Sequence, residues 1–177
     1  HEWVASVKKC VADIASNFTT NRMLIDYEER FYDKLAARKR KLSADSCLLA
    51  REIAAWKRKV SAAWDQVRAV DVERVKIDKE AVCVGEKYRF SVTVDIANLR
   101  PEDIGVEMVI ARQIVGGQGV NVVRTIRLER TRTDNNLVTY ALDYTPDETG
   151  TFDVALRIYP CNPHLPHRMD FALVKWA

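Results

Sequence analysis

Hydrophobic positions change period once along this chain. Up to about residue 70 they recur at helical spacing. Trp3, Val7, Cys10, Val11 and Ile14 form one stripe of an amphipathic helix. The polar stretch Asn17 to Thr20 interrupts it. Thr20 or Asn21 is the expected N-cap, since a side-chain oxygen there accepts from the unpaired N–H groups of a first turn. A second helix carries Leu24, Tyr27, Phe31 and Leu35 on one face and runs to about Leu42. Ser43 and Asp45 offer the next cap. A third helix places Leu49, Ile53, Trp56, Val60, Ala63 and Val67 at alternating steps of four and three. That near-heptad spacing predicts an antiparallel hairpin of the last two helices.

Beyond Asp71 the period becomes two. Tyr88, Phe90, Val92, Val94 and Ile96 alternate with Arg89, Ser91, Thr93 and Asp95, as in a strand with one buried face. The alternation recurs at Val106 to Ile110, Ile126 and Leu128, Val138 to Tyr144, and Phe152 to Ile158. Turn-forming residues separate these runs: Asn98 to Asp103, Gly116-Gly-Gln-Gly119, Asp134-Asn-Asn136 and Thr145 to Gly150. With Val72 to Ile77 and Phe171 to Trp176, about seven or eight strands are expected. Glu148-Thr-Gly150-Thr-Phe152 is similar to the approach to a tyrosine corner, but Phe152 lacks the hydroxyl that would close it. The predicted class is therefore α+β. A helical segment over residues 1–71 precedes an antiparallel, immunoglobulin-like β-sandwich over residues 72–177.

Composition sharpens that boundary. All six Gly and all five Pro lie after Asp71. The junction from Asp71 to Val75 lacks Gly, Pro and Ser, which predicts a stiff connection. The chain has 177 residues and a net charge of +3, too little positive charge to expect a nucleic-acid partner. No run approaches the roughly 18–20 apolar residues of a membrane span, so no membrane partner is expected. Cys10, Cys47, Cys83 and Cys161 are scattered and read as free thiols of a cytoplasmic protein. The first residue is His1, inside a helical pattern, which suggests a piece of a longer protein.

Candidate chemistry is sparse. His164 and His167 are three residues apart, but Pro163 and Pro166 make the segment an extended loop with no further metal ligands. The loop Gly116 to Gly119 lacks the following Lys and helix of a phosphate cradle, and reads as a hairpin turn. The basic runs Arg38 to Lys41 and Lys57 to Lys59 read as solvated helix faces. Trp56 and Trp64 read as core of the helical hairpin, while Trp176 is either core or a surface platform. No nucleophile–base pair stands out, so neither catalytic nor metal-binding residues are assigned.

Two segments carry a family resemblance. Trp3, Phe18, Arg22-Met23 and Tyr27 together resemble the C-terminal signature of α-glucan phosphorylases. The closing stretch Tyr159-Pro-Cys-Asn-Pro-His-Leu-Pro-His-Arg-Met-Asp-Phe-Ala-Leu-Val-Lys-Trp176 is similar to the ending of their bacterial and archaeal short-form members. Tyr144-Thr-Pro146 with Gly150 and Phe152 resembles their penultimate hairpin. The resemblance implies a parent that is a two-lobed glycosyltransferase. It would use pyridoxal phosphate to cleave α-1,4-glucan with inorganic phosphate, releasing glucose 1-phosphate. The family's catalytic and cofactor residues lie upstream of this region, so none is carried over and the fragment itself is expected to be inactive. By the same resemblance, Trp3, Phe18, Arg22 and Tyr27 are interdomain docking residues against the upstream catalytic lobes. Without those lobes, self-association through the first helices is expected. Rival readings are a carbohydrate-binding β-sandwich that grips α-glucan, an independent adaptor whose helical hairpin binds a protein partner, and the tail of a glycogen-synthase-like transferase.

Overall fold

A computed structural model describes residues 2–15, 18–75, 83–114 and 119–177. It divides into two compact units, His1–Ala54 and Ala55–Ala177.

The first unit is helical. Helix α1 (Glu2–Cys10) widens into a π turn over Val11–Ala15. Helix α2 (Thr20–Tyr27) does the same over Glu28–Tyr32. The cap of α2 is Thr19, one position before the expected residues; its Oγ1 accepts from the Arg22 N–H at 3.2 Å. Helix α3 (Asp33–Ala63) breaks at Ala44 (ψ 154°) and then at Asp45, Ser46 and Cys47, with φ of 49°, 54° and 63°. The break falls at the predicted Ser43–Asp45 cap. Short polar side chains tolerate this left-handed region better than most, which suits Asp45.

The second unit holds two four-stranded antiparallel sheets among the described residues. Strands β1 (Arg68–Val75), β2 (Tyr88–Asp95), β6 (Leu137–Tyr144) and β5 (Glu129–Asp134) lie side by side in that order. The other sheet runs β4 (Val120–Arg127), β3 (Ile104–Gln113), β7 (Asp153–Pro160) and β8 (Lys175–Trp176). Their facing sides share one core, with Phe90, Val92 and Val138 from the first sheet and Val106, Met108 and Ile158 from the second.

Several expectations need correction. Trp56, Val60, Ala63, Trp64 and Val67 belong to the core of the two-sheet unit, not to the interior of a helical hairpin. Their helical spacing marked a buried stripe without naming the surface that buries it. The division between the two compact units, at Ala54/Ala55, falls within α3. Asp71 to Val75 is part of β1 rather than a linker. Strand β5, with the sequence Glu-Arg-Thr-Arg-Thr-Asp, was not foreseen, because no residue in it is apolar or buried. The final strand shrinks to two residues, since Arg168–Phe171 forms a 3-10 turn. Gly116, Gly117 and Gln118 lie outside the described residues, but Ile114 N–H donates to Gly119 O at 3.1 Å.

One buried carboxylate ties the helical end to the sheets. Asp103 is only 2% exposed. Its Oδ1 accepts from Trp56 Nε1 at 2.9 Å and from Arg100 Nη2 at 2.9 Å, and its Oδ2 accepts from the Arg100 N–H at 3.0 Å. Its own carbonyl accepts from Cys161 N–H at 2.8 Å. The Tyr140 hydroxyl, pushed up to about 12 by burial, donates toward the carbonyls flanking this turn, at Pro101 and Ile104. At the other end, Lys175 Nζ donates to Val67 O at 2.7 Å and Asp65 O at 3.0 Å, neutralising carbonyls left open where the helix stops.

Burial alone would push the Asp103 carboxyl up, but the Arg100 and Trp56 hydrogen bonds outweigh it and hold the group below the ordinary carboxylate value. Its contribution to stability is therefore full above that ordinary value and disappears as pH falls through the lowered one. Asp103→Ala is expected to lose about 1–3 kcal/mol at neutral pH, because the buried Trp56 Nε1 is left without its acceptor while the solvated Arg100 is not. Urea denaturation across the acid range should show the gap between wild type and variant closing as pH drops. A gap independent of pH would contradict this account.

Candidate functional site

Two surfaces have the character of sites. The first belongs to the helical unit. No described residue before Trp56 is buried. Trp3 is 77% exposed and Phe18 79%, and Tyr27, Phe31 and Leu35 are also exposed. An amphipathic helix gains most of its stability by burying its apolar face. Here that face is bare on α1, on α2 and on the π turn that follows α2.

The candidate docking residues only partly converge. Phe18, Arg22 and Tyr27 line one open groove along α2, with Met23, Asp26 and Phe31. Trp3, on α1, is not among the residues of that groove. Arg22 is anchored within its own helix: its Nε lies 3.6 Å from Asp26 Oδ2, and Arg30 reaches the other Asp26 oxygen at 3.4 Å. These i,i+4 pairs are half solvated and worth a few tenths of a kcal/mol each. They leave the groove with two guanidinium groups around one carboxylate. Tyr27 meets Phe31 and Tyr32 at ring-centroid distances of 6.2 and 6.3 Å.

The second surface is the outer face of the β4-β3-β7-β8 sheet. Glu107 on β3 is 4% exposed although it points away from the shared core. It accepts from Arg157 Nε at 2.6 Å and from Arg168 Nη1 through both oxygens. Arg157 also lies 5.6 Å from the centre of the Trp176 ring, and Arg168 lies 5.9 Å from that of Tyr159. Tyr159 lies close over Gly105, where an added Cβ would stand 2.7 Å from the ring. Glycine is required there by the close approach of the ring. Trp176 itself is 59% exposed, so it is a surface ring and not core. Sequence reasoning missed Glu107, Arg157 and Arg168. The one available signal was a charged residue placed within the apolar run of β3.

A family model described as the glycogen phosphorylase C-terminal domain matches residues 64–177. The chain belongs to this family. Among curated relatives, a maltodextrin phosphorylase of Thermococcus litoralis is 30% identical over 98% of this chain and 20% of its own length. A glycogen phosphorylase of Mycobacterium tuberculosis is 26% identical over 99% of this chain and 20% of its own length. A Mycobacterium bovis glycogen phosphorylase matches at the same identity and coverage. The chain thus spans about a fifth of the length of the relatives it matches. Residues before 64 lie outside the family model but within the span that the relatives share.

The other residues singled out in the sequence make local contacts. His167 Nδ1 accepts from the Met169 N–H at 3.1 Å and caps the 3-10 turn that presents Arg168. Among the described residues, no group of three or more His, Cys, Asp or Glu could hold a metal ion. The four cysteines carry free thiols, and Cys161 Sγ accepts from Arg127 Nη2 at 3.4 Å. In the second basic run, Lys57 sits over the Phe171 ring at 5.3 Å and donates to Asp170 O at 2.7 Å, so it packs rather than standing free. No helix among the described residues is long and apolar enough to cross a membrane.

Proposed function

We propose that this chain is the non-catalytic C-terminal part of an α-glucan phosphorylase. The parent cleaves α-1,4-glucan with inorganic phosphate and releases glucose 1-phosphate, with its catalytic machinery in other parts of the protein. Family membership over residues 64–177 carries this reading. Pyridoxal phosphate belongs to the parent. A lysine that forms a Schiff base is tuned by burial, and the only buried charged residues described here are Asp103 and Glu107. The residues of this chain therefore do not fit the cofactor. The four free thiols support a reducing, cytoplasmic setting. Full-length parent incubated with maltooligosaccharide and phosphate is expected to form glucose 1-phosphate, and more of it on adding pyridoxal phosphate. Absence of product would favour a glycogen-synthase-like parent.

The helical segment, residues 1–71, docks on the upstream lobes through Trp3, Phe18, Arg22 and Tyr27. Its bare apolar face supports this, since such a surface is normally covered. The β-rich segment, residues 72–177, is an accessory part that braces the catalytic lobes or shapes oligomer contacts. Arg22→Ala in the full-length parent is expected to lower the melting temperature by a few degrees while leaving the cofactor bound. Loss of cofactor at an unchanged melting temperature would rule out the docking role. When the upstream lobes are absent, a second copy covers the same face. Sedimentation of the 177-residue chain should then show concentration-dependent association, and a monomer at all concentrations would exclude it.

The finer architecture follows the same reading. We read the chain as three helices, taking the break at Ala44–Cys47 inside α3 as the division between a second, begun by α2, and a third. The β-rich unit is an immunoglobulin-like sandwich. Strand order supports this, with β1-β2-β6-β5 matching the A-B-E-D sheet and β3-β7-β8 matching C-F-G, β4 being an added edge.

A further inference from the structure

Trp176 stands in solvent on a strand that holds it there. Strand β8 pairs with β7 so that Trp176 lies opposite Arg157. The next residue, Ala177, exchanges two backbone hydrogen bonds with Leu156, at 2.9 and 3.4 Å. The guanidinium of Arg157 lies against the indole. The ring is thus held in one place yet remains 59% exposed, whereas Trp56 and Trp64 of the same unit are buried.

The surroundings of the ring are polar and ordered. Arg157 is fixed by Glu107, which also fixes Arg168. Each guanidinium has five N–H donors in a rigid plane, and Glu107 takes only some of them. A protein-docking patch buries contiguous apolar area, and its core is depleted of charge. This face instead pairs one aromatic plane with planar donors. A pyranose has the complementary chemistry: an apolar C–H face for the ring and vicinal hydroxyls that accept from a guanidinium fork.

We propose that the outer face of the β4-β3-β7-β8 sheet binds an α-glucan chain, with Trp176 as stacking platform and Arg157 and Arg168 as hydroxyl donors. Glu107 is a positioning residue that holds both arginines. The glucan class rests on the phosphorylase reading above. The site would retain a long substrate on the enzyme.

The test is affinity electrophoresis of the full-length protein through gels containing amylose, beside a glucose 1-phosphate assay. Trp176→Ala is expected to weaken retention about tenfold relative to wild type. Trp176→Tyr, which keeps an aromatic plane, should restore most of it. Unchanged retention in Trp176→Ala overturns the proposal. So does a lowered melting temperature with unchanged retention, which would mean that the ring packs against another part of the protein. Tyr as weak as Ala overturns stacking. A wild-type protein that forms no glucose 1-phosphate, yet loses retention on Trp176→Ala, would keep the glucan site and remove the phosphorylase reading.

Discussion

The second unit depends on a carboxylate placed where carboxylates are rarely found. Asp103 lies under the end of helix α3 and accepts from the indole of Trp56 and from the backbone and side chain of Arg100. A buried charge is tolerated only when its lone pairs are filled. Here the donors come from two pieces of local structure, the helix through Trp56 and the turn through Arg100, so filling the lone pairs also fixes the pieces. The helix end, the Pro101–Asp103 turn and, through the Asp103 carbonyl, the start of the closing segment at Cys161 are joined at one residue. Packing then closes around it, with Val60 and Val67 fully buried in the core that holds residues of both sheets.

How far the fold was legible depended on whether burial has a period. Strand β2 alternates buried and solvated residues along its length, and its limits could be read almost to the residue. Strand β3 buries eight residues in succession, from Ile104 to Ala111, so its two faces could not be told apart from hydrophobicity. Strand β5 buries nothing and carried no apolar signal at all. Its charges are those of an edge strand that discourages pairing with another chain. Spacing showed that α3 has a buried stripe from Trp56 to Val67. It was silent on the partner, because a helix packs on a sheet and on another helix with the same stripe.

The candidate sites were legible to different degrees for a related reason. Trp3, Phe18, Arg22 and Tyr27 lie close in sequence, and their family pattern is local. The outer-face cluster is assembled from β3, β7, the Arg168 turn and β8, with Glu107 separated from Arg157 by 50 residues and from Arg168 by 61. No local motif can announce such a group. The clearest trace was Glu107 itself, an acid amid apolar neighbours, where an unpaired charge would be prohibitive and paired partners are therefore demanded.

The clamp formed by Lys175 on the carbonyls of Asp65 and Val67 has a consequence for synthesis in the cell. Its partners are about 108 residues apart in sequence. A ribosome adding 5–20 residues per second takes about 5–20 s to cover that distance. Through that interval the nascent helix end carries Trp56, Val60 and Trp64 without the completed two-sheet core to receive them. Chaperone engagement would fall in this window, and codon usage between the helix and the last strand would set its length.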